Sequence, residues 1–481
     1  MKKILDHMKL KGYLPSPELL KLPESELTRF VETLTPASGM NILTQDLYTK
    51  YKQQNPATKK IDLGSSKVEI IRSFGLNKSV SSTNSFVSFY NYRFARLSEF
   101  VKRRPEMQSA VSIKHLSDTN ASGDVKFVGM IVDIRYTSNQ NAILEIEDPT
   151  GGTRVLVANS KKELFLKVKE LVLDEVIGVI GSRKGNIVFA NDLVFPDIPS
   201  SFEYKRAPDN VTAAFVSDVH IGSVDFLPDK FQKFIDWTRG RVGTEKNKTD
   251  AERLAYVFVT GDLVDGVGIY PNQDEELNIK DIYAQYDAFE EYIKQIPDHI
   301  NVIMCPGNHD AVRLEEPQPV LGANLLKTLC QYKNVTLVSN PSFLTIHGID
   351  GFSGLKTLMY HGYSLDHYCA ENEYIRNKGG YDNIGFAMEF LLRKRHLSPT
   401  HSASPFISGS EDSLIIDPVP DIFVAGHTHK GAVHKYKHID VLSSSCFQKA
   451  TSFQEKLGHH PNPGVVPLLN LKTRHVTVME T

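Results

Sequence analysis

Five short apolar runs in the second half of the chain each stop at a cluster of residue types that bind metal ions, and this repetition constrains the fold more than any other feature. Ala213-Ala214-Phe215-Val216-Ser217 leads into Asp218-Val219-His220, and Tyr256-Val257-Phe258-Val259-Thr260 into Gly261-Asp262. Val302-Ile303-Met304 precedes Gly307-Asn308-His309-Asp310, Thr357-Leu358-Met359-Tyr360 precedes His361-Gly362, and Ile422-Phe423-Val424-Ala425 precedes Gly426-His427-Thr428-His429. In open α/β sheets, functional groups gather just beyond the carboxyl ends of the strands, so segments far apart in sequence meet along one edge. Carboxylate, imidazole and amide oxygen are donors that suit borderline divalent ions such as manganese, iron or zinc. Alternate residues of an extended segment point the same way, so the DxH and HxH pairs can each turn two side chains to one site. Gly261, Gly307 and Gly426 permit tight loops and leave space for ion and substrate. Alone, each motif reads as a turn, a cap or a surface pair. In this order, each after an apolar strand, the five predict a dinuclear metal site.

Composition sets the limits around that site. Lys plus Arg (55) against Asp plus Glu (57) leaves a net charge of -2, which excludes a strongly basic protein whose bulk charge alone holds nucleic acid. Hydrophobic residues at 41% and charged residues at 23% describe a folded chain, and 481 residues make room for several domains. Cys305, Cys330, Cys369 and Cys446 are dispersed with no CxxC pair, so they read as reduced and structural. Met1-Lys2-Lys3 meets Asp6 and His7 before an apolar run of signal-peptide length develops. No segment approaches the roughly 18 unbroken apolar residues of a membrane span. An intracellular, cytoplasmic protein without a membrane anchor is the expectation.

Residues 1–72 read as a small helical region, with Ser16-Pro17 as cap and first-turn proline and Leu27, Phe30, Val31 and Leu34 at the spacing of one buried helical face. It carries no catalytic pattern and reads as a docking or packing module, with direct DNA contact as the lesser alternative. Residues 73–85, with the small polar run 77–85, read as a linker. A domain over 86–204 opens with a helix in which Tyr90, Phe94, Leu97 and Val101 repeat at helical spacing. Its Arg93, Arg96, Arg103 and Arg104 read as an ion-paired or solvated face in preference to a phosphate track. Short strands follow at 126–135, 142–147, 153–158, 175–182 and 186–192, with a helix at 161–171. Five strands with a helix after the third match the order of an OB-fold. Few aromatics fall on these strands, which speaks against a base-stacking platform there. Residues 205–481 hold the chemistry. Within them Trp237 reads as core, His459-His460 as loop with a place near the metal edge as the lesser alternative, and 239–248 as a solvated basic connection.

Taken together, the five motifs resemble those of the calcineurin-like metallophosphoesterases. The resemblance implies a four-layer α-β-β-α sandwich with two divalent ions at the sheet edge. One ion would take Asp218, His220 and His429, the other Asn308, His361 and His427, and Asp262 would bridge both. His309 would stand beside the leaving oxygen without binding metal, and Asp265 in Gly261-Asp262-Leu263-Val264-Asp265 is a candidate to orient its imidazole, with a plain loop carboxylate as the equal alternative.

Domain order narrows the family. In the double-strand-break repair nuclease of the superfamily the catalytic domain begins near the N-terminus, whereas here the first motif begins only at Asp218 and a short tail follows His429. An OB-fold ahead of the phosphoesterase is similar to the B-subunit family of replicative DNA polymerases. Residues 261–271, Asp281-Ile282-Tyr283-Ala284-Gln285-Tyr286 and the ending Cys446-Phe447-Gln448-Lys449-Ala450-Thr451-Ser452-Phe453-Gln454 look like that family in detail. Eukaryotic members have lost the metal ligands. This chain retains them, and so resembles the small subunits of archaeal family D DNA polymerases. The resemblance implies a 3′ to 5′ exonuclease that removes misinserted nucleotides from a single-stranded or frayed primer end, with manganese as working ion and a large polymerizing subunit as partner. A sliding clamp is admitted as a further partner, with no short motif to place it. The rival readings are a repair-type nuclease, another phosphatase or phosphodiesterase of the superfamily, and a scaffold without catalysis.

Overall fold

The computed structural model describes residues 5, 8–21, 27, 30–31, 40–54, 67–75, 82–118, 123–451, 454 and 459–481. Two six-stranded sheets dominate the second half. The first runs Val335–Leu337, Asn301–Cys305, Leu254–Thr260, Thr212–Val216, Val465–Asn470, Val476–Glu480. The second runs Ala432–Tyr436, Ile439–Ser443, Ile422–Ala425, Leu355–Met359, Ser342–Gly348, Lys67–Arg72. Every residue of Leu254–Thr260 is buried, so that strand is covered on both faces. The period of two decides what each face meets. Ala214, Val216, Val257 and Val259 join Phe231, Phe234, Trp237 and Phe289 in a sheet-on-helix core. Phe215, Tyr256 and Phe258 pack instead with Leu344, Ile346 and Val424 of the second sheet. The other side of that sheet buries Phe423 and Val441 against helices Ser364–Glu371 and Ile384–Lys394. The layers are therefore helix, sheet, sheet, helix.

The three strands that end in Asp218, Asp262 and Asn308 are parallel neighbours in the first sheet. Those that end in His361 and His427 are parallel neighbours in the second. All five motifs thus leave their strands at the same end of the sandwich.

Residues 123–194 form a closed five-stranded barrel, with helix Lys162–Lys169 between the third strand, Gly151–Val157, and the fourth, Val176–Lys184. The helix Thr83–Lys102 ties barrel to sandwich: Arg93 Nε meets Asp412 at 2.6 Å, its Nη1 donates to the Pro399 carbonyl at 2.6 Å, and Arg96 pairs with Asp417. Lys394 meets Glu175 at 2.7 Å across the same boundary, both buried. The arginines of that helix are thus engaged within the protein, as ion pairing predicts.

Three expectations near the N-terminus need correction. Residues 67–72, assigned to the helical region, are a strand that pairs antiparallel with Ser342–Gly348 and completes the second sheet. Ser82 and Ser85, assigned to the linker, form a reciprocal capping box that starts helix Thr83–Lys102, because each hydroxyl satisfies the other residue's backbone N–H. Ser16-Pro17 leads only into the single 3-10 turn Leu19–Lys21. Leu27, Phe30 and Val31 do share one small core with Met8, Leu43 and Tyr48; Leu34 and linker residues 77–81 lie outside the described residues. The expected basic connection, 239–248, runs into a helix, Glu245–Glu252, capped by Thr244. Trp237 is buried, as expected of core. Cys305, Cys369 and Cys446 are buried and all four cysteines are free thiols. Among the described residues no helix is long and apolar enough to cross a membrane.

Candidate metal centre

Five of the seven predicted metal-binding side chains sit on left-handed backbone: Asp218 at φ 52°, His220 at 53°, Asp262 at 49°, His427 at 70° and His429 at 54°. This overturns the expectation that the DxH and HxH pairs converge by strand alternation. Each pair lies beyond its strand in a turn where alternate residues occupy a conformation that side-chain-bearing residues rarely adopt, at a cost of order 1–3 kcal/mol each. The rest of the site must hold that strain.

Gly261, at φ 86°, makes the tight loop expected of it, but the space beside the glycines serves another purpose than expected. A Cβ on Gly307 would lie 2.2 Å from Asp262 Oδ1 and 2.7 Å from His361 Cε1; on Gly261 it would lie 2.3 Å from His361 Nδ1, and on Gly426 2.6 Å from Asp218 Oδ2. The space beside each glycine is filled by donors from a different motif. The glycines let the five loops interlock.

The imidazoles and carboxylates gather in overlapping groups whose donor atoms lie within 4.8 Å of one another: Asp218, His220 and His429; His220, Asp262 and His309; Asp262, His361 and His427. Asp262 occupies the middle, its Oδ2 3.7 Å from His220 Nε2 and 3.3 Å from His361 Nε2. Asn308 joins through its amide oxygen, 2.9 Å from His361 Nε2. His429 Nε2 lies 3.1 Å from His220 Nε2 and 3.5 Å from Asp218 Oδ1. His309, which the sequence reading keeps out of the metal set, is geometrically a member of the middle group.

The far side of each imidazole is occupied, which selects the nitrogen that faces inward. His220 Nδ1 is 3.0 Å from Asp265 Oδ1, His361 Nδ1 2.9 Å from the Thr260 carbonyl, His427 Nε2 2.9 Å from Asp366 Oδ2, and His429 Nδ1 3.0 Å from the Gln454 amide. The Asp265 side chain therefore orients His220; of the two roles read from the sequence, orienting His309 or serving as a plain loop carboxylate, neither describes this carboxylate, and Asp265 reaches His309 only through its backbone. His309 Nδ1 is held by the Asp265 backbone carbonyl at 2.8 Å, and its own N–H donates to Asp262 Oδ1 at 2.8 Å. Asp265 is in turn fixed by Gln273 Nε2 at 3.0 Å and Gln448 Nε2 at 3.2 Å. Asp310, the last residue of its motif, braces the loop by accepting from Gly307 N–H and from the Tyr286 hydroxyl.

The donor set fits a cation. Asp218 and Asp262 are buried, and among the described residues no lysine or arginine lies within salt-bridge distance of either. Burial opposes the charge of Asp262, yet His361 and His309 hold its carboxyl well below the usual range. Burial likewise pushes the His361 imidazole down, but Asp262 overrides it and raises the group to about 10. Buried carboxylates kept ionised, with only imidazoles around them, are what bound cations stabilise.

Asp366, Gln454, Gln448 and Gln273 escaped the sequence reading because each acts by touching a histidine or carboxylate from another segment, and no spacing announces that. His459, read as loop, lies against Tyr381 with ring centroids 3.9 Å apart and planes tilted by 42°, and burial, opposed by Asp366, lowers its imidazole.

The calcineurin-like phosphoesterase pattern matches residues 211–431, the span that carries all five motifs. The chain is 38% identical over 398 residues to the DNA polymerase II small subunit of Methanothermobacter thermautotrophicus, covering 82% of this chain and 79% of that one. The corresponding subunit of Halobacterium salinarum is 38% identical over 407 residues, 84% of this chain and 76% of its own. The chain belongs to the DNA polymerase II small subunit family. A third such small subunit, from Archaeoglobus fulgidus, is 35% identical over 393 residues. In this member of the family residues 211–431 thus keep carboxylate, imidazole and amide donors in one cluster, most of them buried.

Proposed function

We infer that this chain is bound to a large polymerizing subunit and that its phosphoesterase domain is a metal-dependent 3′ to 5′ exonuclease, removing misinserted nucleotides from a single-stranded or frayed primer end. The observation that carries the reading is the place of Asp262, one carboxylate oxygen within reach of both His220 and His361. It supports assigning Asp218, His220 and His429 to one ion, Asn308, His361 and His427 to a second, and Asp262 to both. The donors suit manganese, with iron and zinc as alternatives. Two such ions, when bound, supply an activated water and neutralise charge on the attacking and leaving oxygens.

The chain's own residues do the rest. With ions in place of ring protons, Asp265, Thr260 and Asp366 would hold three imidazoles in the tautomer that turns a free nitrogen inward. His309 commits Nδ1–H to the Asp265 carbonyl, so Nε2 is the nitrogen that can carry a second proton and pass it to the leaving oxygen. We read helix Thr83–Lys102 and the chain from there to 204, with its five-stranded barrel, as an OB-fold domain, 205–481 as the phosphoesterase, and the chain ahead of strand Lys67–Arg72 as a docking module. The strand Lys67–Arg72 reaches from that module into the phosphoesterase sheet. A net charge of -2 suits a subunit whose partner grips the primer.

The test is hydrolysis of end-labelled primer-template DNA with a mismatched 3′ end, in manganese, by the reconstituted two-subunit complex. Asn308→Ala and His361→Ala should abolish it in a folded protein, and His309→Ala should keep both ions but lose turnover. Full activity in all three variants would remove the assignment. No chelator-sensitive hydrolysis by the wild-type complex would mark a scaffold, and turnover of p-nitrophenyl phosphate alone a phosphatase.

A further inference from the structure

Immediately after Asp265, the segment Gly266-Val267-Gly268-Ile269-Tyr270-Pro271 exposes Val267 at 45%, Ile269 at 41% and Tyr270 at 37%. Three large apolar side chains presented to solvent within four residues, at the rim of the centre, need an explanation. The loop is not loose. Buried Gln285 accepts from the Gly266 N–H at 2.9 Å and donates back to the Gly266 carbonyl at 3.0 Å. Buried Gln273 accepts from the Ile269 N–H at 2.9 Å and donates to the Asp265 carbonyl at 2.8 Å. Gly266 itself, at φ 78°, packs so closely on the GNHD loop that a Cβ would lie 2.4 Å from the His309 carbonyl oxygen. The Tyr270 ring is set in orientation by a 2.8 Å bond from its hydroxyl to Glu276 and stands edge-on to His309, with centroids 6.4 Å apart. The result is a preorganised apolar shelf with an aromatic face, beside the histidine assigned to the leaving oxygen.

We propose that this shelf receives an unpaired nucleobase of the DNA strand being shortened, Tyr270 stacking on the base and Val267 and Ile269 flanking it. The proposal rests on the exonuclease reading above. Charge identifies the part of DNA concerned: the adjoining turn Gln273–Glu276 carries Asp274, Glu275 and Glu276, which repel phosphate, so the loop offers a base its π-face and offers the backbone no grip. Stacking tolerates every base, as a site that removes any misinserted nucleotide requires. A loop already rigid loses little entropy on contact, so the stacking appears as affinity. Because Asp265, next in the chain, holds His220 through its side chain and His309 through its carbonyl, the base would be registered directly against the two imidazoles.

The experiment is a cycle between protein and DNA, read as Kd by fluorescence anisotropy in chelator, with the reconstituted two-subunit complex, its subunit content followed by co-elution, and single-stranded oligonucleotides that lack one base at the first, second or third position from the 3′ end. Tyr270→Ala should weaken binding of the intact oligonucleotide about 5- to 150-fold, while Tyr270→Phe keeps it within about twofold. At one of the three positions the missing base should weaken wild-type binding comparably and the Tyr270→Ala variant no further, and 2-aminopurine placed there should be quenched by the wild type alone. Losses that multiply at all three positions would overturn the proposal. So would Tyr270→Phe binding as weakly as Tyr270→Ala, since the hydroxyl bond to Glu276 would then be the contribution. Release of the large subunit by Tyr270→Ala with DNA affinity unchanged would make the shelf a subunit interface instead. Base-dependent coupling without any hydrolysis in manganese would retire the exonuclease reading and leave the shelf standing.

Discussion

Replacing Gly307 with alanine perturbs the proposed centre without altering any of its donors. The backbone at Gly307 lies outside the left-handed region, so alanine meets no conformational penalty there. The new methyl would instead lie 2.2 Å from Asp262 Oδ1, 2.5 Å from Asp262 N and 2.7 Å from His361 Cε1. Two of these atoms belong to a backbone and an aromatic ring, neither of which can swing aside, so the carboxylate must move by about 0.8 Å to reach a separation of 3.0 Å. That movement also breaks the bond from the His309 N–H to Oδ1. Overpacking of this kind destabilises by about 1–3 kcal/mol, and a reacting group misplaced by about 1 Å can lose 10²-fold in turnover. We expect manganese-dependent hydrolysis of bis-p-nitrophenyl phosphate to fall about 100-fold, calorimetric titration to show weakened manganese binding, and the melting temperature to drop by only several degrees. Gly123→Ala, where nothing lies within 4 Å, is the control and should change none of these. Wild-type turnover in Gly307→Ala with two ions bound at wild-type affinity would refute the idea that Asp262 is the shared donor.

Asp265→Asn and Asp366→Asn each replace the carboxylate behind one imidazole, and each should weaken manganese affinity about 10- to 100-fold by calorimetry with little change in thermal stability; unchanged affinity in both would deny them a positioning role. Arg93→Met leaves the buried Asp412 carboxylate without its arginine and should destabilise the barrel-to-sandwich junction by about 3–5 kcal/mol in urea unfolding. Burial raises Asp412, but Arg93 and His396 overcome it and depress the carboxyl far below its unfolded value. A depressed carboxyl contributes stability that is complete above its unfolded value near pH 4 and is lost as pH falls toward its folded value, so the wild type should lose urea stability below about pH 4. An Asp412→Asn variant with the same acid dependence as the wild type would contradict this.

Much of the architecture is legible in one dimension because it follows from local periodicity. The strands at 126–135, 142–147 and 186–192 agree with the observed Gly123–Tyr136, Ala142–Asp148 and Ile187–Val194 to within a few residues at each end. Short apolar runs bounded by turn residues need no partner to be recognised, and Ala142–Asp148 also alternates buried positions with more exposed ones. Lys67–Arg72 was missed for the opposite reason: it is a strand only because Ser342–Gly348, far away in the chain, offers it an edge. Ser82 was misplaced because small polar residues mark linkers and helix caps alike, and only the capping box distinguishes the two.

The same division runs through the centre. Which residue types stand at the ends of five apolar strands is a property of the sequence, and strand direction carries the five motifs to one edge; the choice of Asp218, His220, Asp262, Asn308, His361, His427 and His429 within those motifs comes from the resemblance to the calcineurin-like metallophosphoesterases. How they face one another is decided only in three dimensions. Left-handed turns aim the paired side chains, glycines of one loop admit the donors of the next, and Asp265 supports His220 although it lies nearer in sequence to other candidates. Hydrogen bonds and steric fit between loops depend on distances across the sandwich, and a linear chain sets those distances only when both sheets have closed on their common core.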